Sequence, residues 1–124
     1  MSRILIIDDD QDILDILQSV LVDNEYEVRA TTSAVEGLKS LSEQPADIVI
    51  TDILMPDIDG IEVIQALKSQ YPNVKIIAMS GGGSDRKKFQ EYLPIAKRLG
   101  ANEIIPKPID LNLLLKTVQD LAQS

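Results

Sequence analysis

Apolar residues along the chain fall into two alternating kinds of segment. Short continuous runs of strand length lie at residues 4–7, 48–50, 74–79 and 103–105, with a weaker one at 26–30. Between them, apolar positions recur at helical spacing: Ile13, Leu14, Leu17, Leu21; then Val35, Leu38, Leu41; then Ile61, Val63, Ile64, Leu67; and last Leu111, Leu114, Leu115, Val118, Leu121. Strands alternating with helices predict a parallel sheet with helices on both faces, with the strongest Ile- and Val-rich runs as central strands buried on both sides. Five strands and five helices use up the length, with no internal repeat, linker or low-complexity tract.

Boundary residues agree with this layout. Asp10 or Asp12 is placed to cap the first helix, Thr32 or Ser33 the second and Asp110 the last, while Asp59-Gly60 opens the third. Pro45 and Pro72 lie beyond helix ends, and Leu99-Gly100 reads as a helix stop with a left-handed glycine. The fourth helical segment contains Pro94, which has no N–H to donate and crowds the preceding turn. Two outcomes are open there: a kinked helix, or a second short helix with Pro94 in its first turn.

Composition narrows the class. A length of 124 residues fits a single domain over residues 1–124, and 44% hydrophobic content supplies a core. Twelve basic against 20 acidic side chains give a net charge of −8, which argues against nucleic acid or an anionic membrane as a partner and suits cations and basic protein surfaces. The absence of cysteine rules out a disulfide framework. The apolar run at 4–7 is too short for a signal peptide or a membrane span, so a cytoplasmic location is the default expectation.

Candidate chemistry collects where strands end. In open α/β sheets, ligands bind at the carboxyl ends of the strands, and right-handed crossovers bring those ends to one edge. The first strand leads into Asp8-Asp9-Asp10, the third into Asp52, the fourth into Ser80 and then Gly81-Gly82-Gly83, and the fifth into Lys107 between two prolines. Converging carboxylates repel one another, and a divalent cation with a preference for hard oxygen ligands (Mg²⁺, Mn²⁺ or Ca²⁺) would relieve this. Cation, ammonium and hydroxyl around a central carboxylate make a phosphoryl-transfer site, with Asp52 as the nucleophile, Lys107 neutralising phosphoryl charge and Ser80 bonding a phosphoryl oxygen. Taken singly, these residues have plainer readings. Asp9 and Asp10 serve as helix caps, Ser80 as a strand-end serine and Lys107 as a solvated lysine; those readings weaken when all share one edge. Asp57 and Asp59 read as turn and cap residues, and Arg86-Lys87-Lys88 as a solvated face. The triple glycine is no phosphate-binding loop, because no Gly-Lys-Ser/Thr follows it.

The residues Ile4-Leu5-Ile6-Ile7-Asp8-Asp9-Asp10, the segment from Thr51-Asp52 through Met55-Pro56 to Asp59-Gly60, Leu99-Gly100-Ala101 and Lys107-Pro108 together resemble the receiver domain of two-component response regulators, over nearly the whole chain. The resemblance implies a flavodoxin-like doubly wound sheet of order 2-1-3-4-5. It also implies phosphorylation of Asp52 by a histidine kinase or histidine phosphotransfer protein, and Mg²⁺ (or Mn²⁺) held by Asp8, Asp9, Asp52 and the backbone carbonyl of Leu54. Further implications are a switch hydroxyl at Ser80, a phosphoryl contact from Lys107, a cis Lys107–Pro108 bond, and an output through some downstream protein target. With the chain closing on its fifth helix, the expectation is a stand-alone regulator. Two departures stand out. The aromatic that the family usually carries three positions before the lysine is Ile104 here, and the segment from Ser80 to Gly100 is longer than the family norm.

Two other classes compete. Asp8-Asp9-Asp10 superficially resembles the Asp-x-Asp signature of haloacid-dehalogenase-like phosphatases, which would make the protein a small metal-dependent aspartyl phosphatase. Against that, Asp12 stands where such enzymes have Thr or Val, and the chain leaves no room for a cap. A dinucleotide-binding module would need Gly-x-Gly-x-x-Gly after the first strand, and none follows.

Overall fold

The structure is a computed structural model that describes residues 2–53, 60–80 and 86–123. Its elements run β1 (Arg3–Ile7), α1 (Gln11–Asp23), β2 (Glu27–Thr31), α2 (Ala34–Glu43), β3 (Ile48–Asp52), α3 (Gly60–Gln70), β4 (Lys75–Ser80), α4 (Arg86–Leu99), β5 (Glu103–Pro106) and α5 (Leu111–Ala122). The five strands form one parallel sheet in the order β2-β1-β3-β4-β5, as the resemblance implies. The weakest apolar run, β2, is an edge strand and is only partly buried, whereas β3 at the centre is buried throughout. Strength of the apolar run thus tracks the number of covered faces.

Strand alternation divides the core into two layers. Leu5, Ile7, Val49, Ile76, Ala78 and Ile104 pack with Leu41, Val63, Ile64, Leu67 and Ala96 of α2, α3 and α4. The intervening residues Ile4, Ile6, Ile48, Ile50, Ile77, Met79 and Ile105 pack with Leu14, Leu17 and Leu21 of α1 and Leu114 and Val118 of α5. Ile104 takes its place in the first layer, 9% exposed and beside Ala78 of β4 in register.

Most helix boundaries form where the caps predict. Asp10, Ser33 and Asp110 accept hydrogen bonds from the first-turn amides of α1, α2 and α5. Asp59 lies outside the described residues. The two alternatives at Pro94 resolve in favour of one continuous helix, with Pro94 inside α4. Helix α4 ends as the sequence predicts: Gly100 has φ +125°, its N–H donates to Lys97 O, and Ala101 N donates to Ala96 O, which closes the last turn. The Lys107–Pro108 bond is cis. In α2, Gly37 has a packing role that the sequence does not signal: a Cβ there would meet Ile7 Cδ1 at 2.6 Å.

Candidate functional site

The alternation that sorts the core also builds the site. Ile4 and Ile6, Ile48 and Ile50, and Ile105 all face the α1/α5 layer. Continuing each series by two residues along the chain gives Asp8, Asp52 and Lys107, so the three side chains rise from the same face at the carboxyl edge of β1, β3 and β5. Backbone pairing holds that edge beyond the formal strand ends: Asp8 N donates to Thr31 O and Ile53 N donates to Met79 O.

The Lys107 ammonium lies 2.8 Å from Asp52 Oδ2, to which it donates a hydrogen bond, and 2.8 Å from Asp8 Oδ2. The second contact is short enough for an ion pair, yet it misses hydrogen-bond direction. Asp8 Oδ2 is therefore a buried carboxylate oxygen met by charge but by no well-aimed donor. The other oxygen, Asp8 Oδ1, accepts from Asp10 N at 2.8 Å. Asp8 is fully buried and Asp52 nearly so, while Asp9 is exposed. One carboxylate oxygen each from Asp8, Asp9 and Asp52 comes within 4.8 Å of the others.

Electrostatics of the group follow from burial. Loss of solvent pushes the Asp8 carboxyl above its ordinary range; the Lys107 ammonium and the Asp10 N–H pull it back only in part, and the neighbouring Asp52 charge adds to the rise. For Lys107, burial alone would lower the ammonium. The hydrogen bond to Asp52 and the charges of Asp52 and Asp8 outweigh that and hold it above its ordinary value, so it stays charged through the physiological range. Three carboxylates against one ammonium leave an excess of two negative charges when all are ionised.

A hard divalent cation fits this donor set. The ligands are all carboxylate oxygens, one is buried without a directed donor, and the excess charge is negative. Asp8, Asp9 and Asp52 could hold such an ion. Leu54, whose carbonyl the resemblance adds to the set, lies outside the described residues, as do Asp57 and the glycines at 81–83. Ser80 is the last residue of β4 and pairs in register with Pro106, one residue from Lys107; its hydroxyl lies outside what is described. The structure thus brings Asp8, Asp9, Asp52 and Lys107 together as the sequence reading expects. What that reading misses is the second role of Asp10. Its side chain caps α1, and its backbone N–H fixes Asp8. No residue-type signal could have marked a backbone donor.

A cleft of about 500 Å³ opens at the opposite edge of the sheet, between the segments around Asp47, Tyr71 and Lys75 and the end of α5. Volume and chemistry therefore part company. The acid cluster and the ion pairs decide the location of the site, and none of their residues lines that cleft.

An acid-lined, lysine-braced edge on a parallel 2-1-3-4-5 sheet defines the class of flavodoxin-like receiver modules. The family model of the response regulator receiver domain matches residues 4–119, and the chain belongs to that family. It is 34% identical over 122 residues to the response regulator SaeR of Staphylococcus aureus (strain USA300), covering 98% of this chain and 50% of that protein. The chain thus spans about half the length of the curated relatives it matches. Among solved structures, it is similar to the receiver domain of NtrX from Brucella abortus (TM-score 0.87, 27% identity, 98% of each chain). It is also similar to a CheY-like receiver domain protein from Methanospirillum hungatei JF-1 (TM-score 0.86, 30% identity, 99% of this chain and 95% of that one). Membership of this family places the chain among signalling phosphoacceptors, and the phosphatase alternative is not favoured. Among the described residues, no helix is long and apolar enough to cross a membrane.

Proposed function

We propose that residues 1–124 form one receiver domain of a response regulator, acting in the cytoplasm with Asp52 as its phosphoacceptor. A carboxylate oxygen of Asp52 attacks the phosphorus of a phosphohistidine on a histidine kinase or phosphotransfer protein. The P–N bond breaks, an acyl phosphate forms, and the imidazole leaves with its electron pair and picks up a proton. The observation that carries this reading is the placement of Asp52. It is nearly buried on the central strand, bonded to Lys107 at 2.8 Å, and clustered with Asp8 and Asp9. The Lys107 ammonium draws the transferring phosphoryl toward Asp52 and balances the charge left on the product. Asp8, Asp9, Asp52 and the Leu54 carbonyl would hold Mg²⁺ (Mn²⁺ as a substitute), which when bound supplies positive charge to the phosphoryl oxygens. Ser80 would hydrogen-bond one of those oxygens.

The domain is a phosphoacceptor that assists its own phosphorylation and dephosphorylation; it is not a turnover enzyme. It passes the signal to a downstream protein by contact or by phosphorelay. Incubation with Mg²⁺ and a small phosphodonor such as phosphoramidate should add one phosphoryl mass, located on Asp52 by peptide mapping and absent from Asp52→Ala. An unmodified wild-type protein, or a modification that survives Asp52→Ala, would sink the reading.

A further inference from the structure

Asp8 is held from behind as well as from within the site. Its backbone N donates to Thr31 O at 3.2 Å, and its Oδ1 accepts from Asp10 N at 2.8 Å. The residue before it, Ile7, lies in register between Thr31 of β2 and Thr51 of β3, and its side chain joins the layer that α2 covers. Ile7 is fully buried and β-branched, so it has little rotamer freedom with which to yield. Helix α2 closes directly on it. A Cβ at Gly37 would lie 2.6 Å from Ile7 Cδ1, 2.9 Å from Ile7 Cγ1 and 3.4 Å from Thr31 Cγ2. Glycine inside a helix costs roughly 1 kcal/mol against alanine, so propensity disfavours it here, and the close approach of α2 to β1 is what its missing side chain allows.

The same spot is tied to the start of the helix. Thr31 Oγ1 accepts from Ser33 N, and Ser33 Oγ caps α2 by accepting from Glu36 N, both at 3.2 Å. Thr31 thereby joins three parts of the fold. Its carbonyl meets Asp8, its hydroxyl meets the entry to α2, and its methyl faces the gap at Gly37. A shift of α2 away from the sheet can reach Asp8 by two routes: through Ile7 along β1, and through the Thr31 carbonyl across from β2.

Mg²⁺ is small and demands near-octahedral geometry, whereas Ca²⁺ accepts longer and more variable bonds. Displacing one carboxylate therefore penalises Mg²⁺ more than Ca²⁺. Resting on the reading of Asp8, Asp9 and Asp52 as a cation site, we propose that Gly37 is a positioning residue for it. By letting α2 close on Ile7, Gly37 holds Asp8 where the small cation is preferred, and this contact sets the preference for Mg²⁺ over Ca²⁺.

Amide NMR titration of the full chain with Mg²⁺ and, separately, Ca²⁺ tests this. Gly37→Ala should weaken Mg²⁺ binding roughly tenfold, the low end of what losing the support of a metal ligand costs, and Ca²⁺ binding by roughly threefold or less. In the metal-free variant, the Asp10 amide proton should move upfield as its bond to Asp8 Oδ1 lengthens, while that of Leu114 in α5 stays in place. Adding Ile7→Val removes the atom nearest the new Cβ and should return the Mg²⁺/Ca²⁺ preference to within about threefold of the wild type. Equal losses for both cations, an unchanged Mg²⁺ affinity, or no recovery with Ile7→Val would overturn the proposal. Thr31→Val serves if Gly37→Ala does not fold. It frees the entry to α2 and should also weaken Mg²⁺ more than Ca²⁺, and equal losses there would overturn the proposal as well. A wild-type chain that binds neither cation would overturn the cation reading instead, and the Asp10 amide shift in the metal-free variant would then decide whether Gly37 positions Asp8.

Discussion

Replacing Lys107 by Met isolates what its ammonium does for the fold. In the native structure, that group sits 2.8 Å from a carboxylate oxygen of each of two acids, one fully buried and one with 4% of its side chain exposed. Without it, Asp8 Oδ2 keeps no countercharge and no hydrogen-bond donor among the described residues, and Asp52 loses a donor as well. Removing one partner of a buried ion pair costs about 3–5 kcal/mol. Lys107 itself is 16% exposed, so water entering the gap offsets some of this, and a loss of ~3 kcal/mol is the expected figure. At ~4 °C per kcal/mol for a domain of this size, the midpoint of thermal unfolding should fall by roughly 12 °C in metal-free buffer. The same vacancy leaves the three carboxylates with one more unbalanced negative charge, so Mg²⁺ should recover more stability in Lys107→Met than in the wild type. Urea unfolding followed by circular dichroism, with chelator and with saturating Mg²⁺, gives all four values. A metal-free loss under ~1 kcal/mol, the range of a surface pair, would refute the assignment of Lys107 as the brace of the site. A gap between the two proteins that Mg²⁺ does not narrow would refute the picture of an acid cluster short of positive charge.

Other consequences can be checked with the same methods. Because the folded Lys107 ammonium is held above its ordinary 10.5, its contribution is fully present below that value and disappears as pH rises through the folded value; alkaline unfolding curves should show this loss, and Lys107→Met should not. Asp8 runs opposite to the usual acid. Its carboxyl is raised from 3.8, so its charged form costs stability at neutral pH, and the cost is relieved as pH falls through the raised folded value. Asp8→Asn should thus stabilise the metal-free protein at neutral pH and weaken its response to Mg²⁺, as read by thermal shift. Gly37→Ala should destabilise by about 1 kcal/mol or more despite the helix propensity gain of similar size, because the new Cβ would lie 2.6 Å from a fully buried Ile7; urea midpoints decide the sign. Asp52→Asn should take no phosphoryl group from a small phosphodonor in a mass assay while keeping the wild-type circular dichroism spectrum, since the amide occupies the same place on β3.

Much of the architecture could be read from local pattern. The runs at 4–7, 48–50 and 103–105 are strands within one or two residues, and Asp10, Ser33 and Asp110 cap helices as side chains of that type do. The third strand runs two residues past its apolar stretch, because Thr51 and Asp52 keep pairing with Ala78 and Met79 although their side chains are polar. The site was legible for a related reason. A carboxylate or lysine just after an apolar strand can be seen in sequence, and parallel topology sends such residues to one edge. Pro94 was not legible in the same way. A proline in a helical stretch is compatible with a kink or a new start, and neighbours far along the chain selected the continuous helix: Ala96 buried under the sheet, and Lys68 and Asn102 fixing the exit of α4.

By itself, then, the sequence determined the alternation of elements, the acids and the lysine that end three strands, and the caps, because each depends on side-chain type and spacing within a few residues. The tertiary structure alone decided that Lys107 is shared between Asp8 and Asp52, that Asp8 Oδ2 is buried with no aimed donor, that Gly37 makes room for Ile7, and that α4 is clamped at one end. Those facts depend on distances between groups remote in the chain and on how much water reaches them, and only packing of the complete fold fixes either.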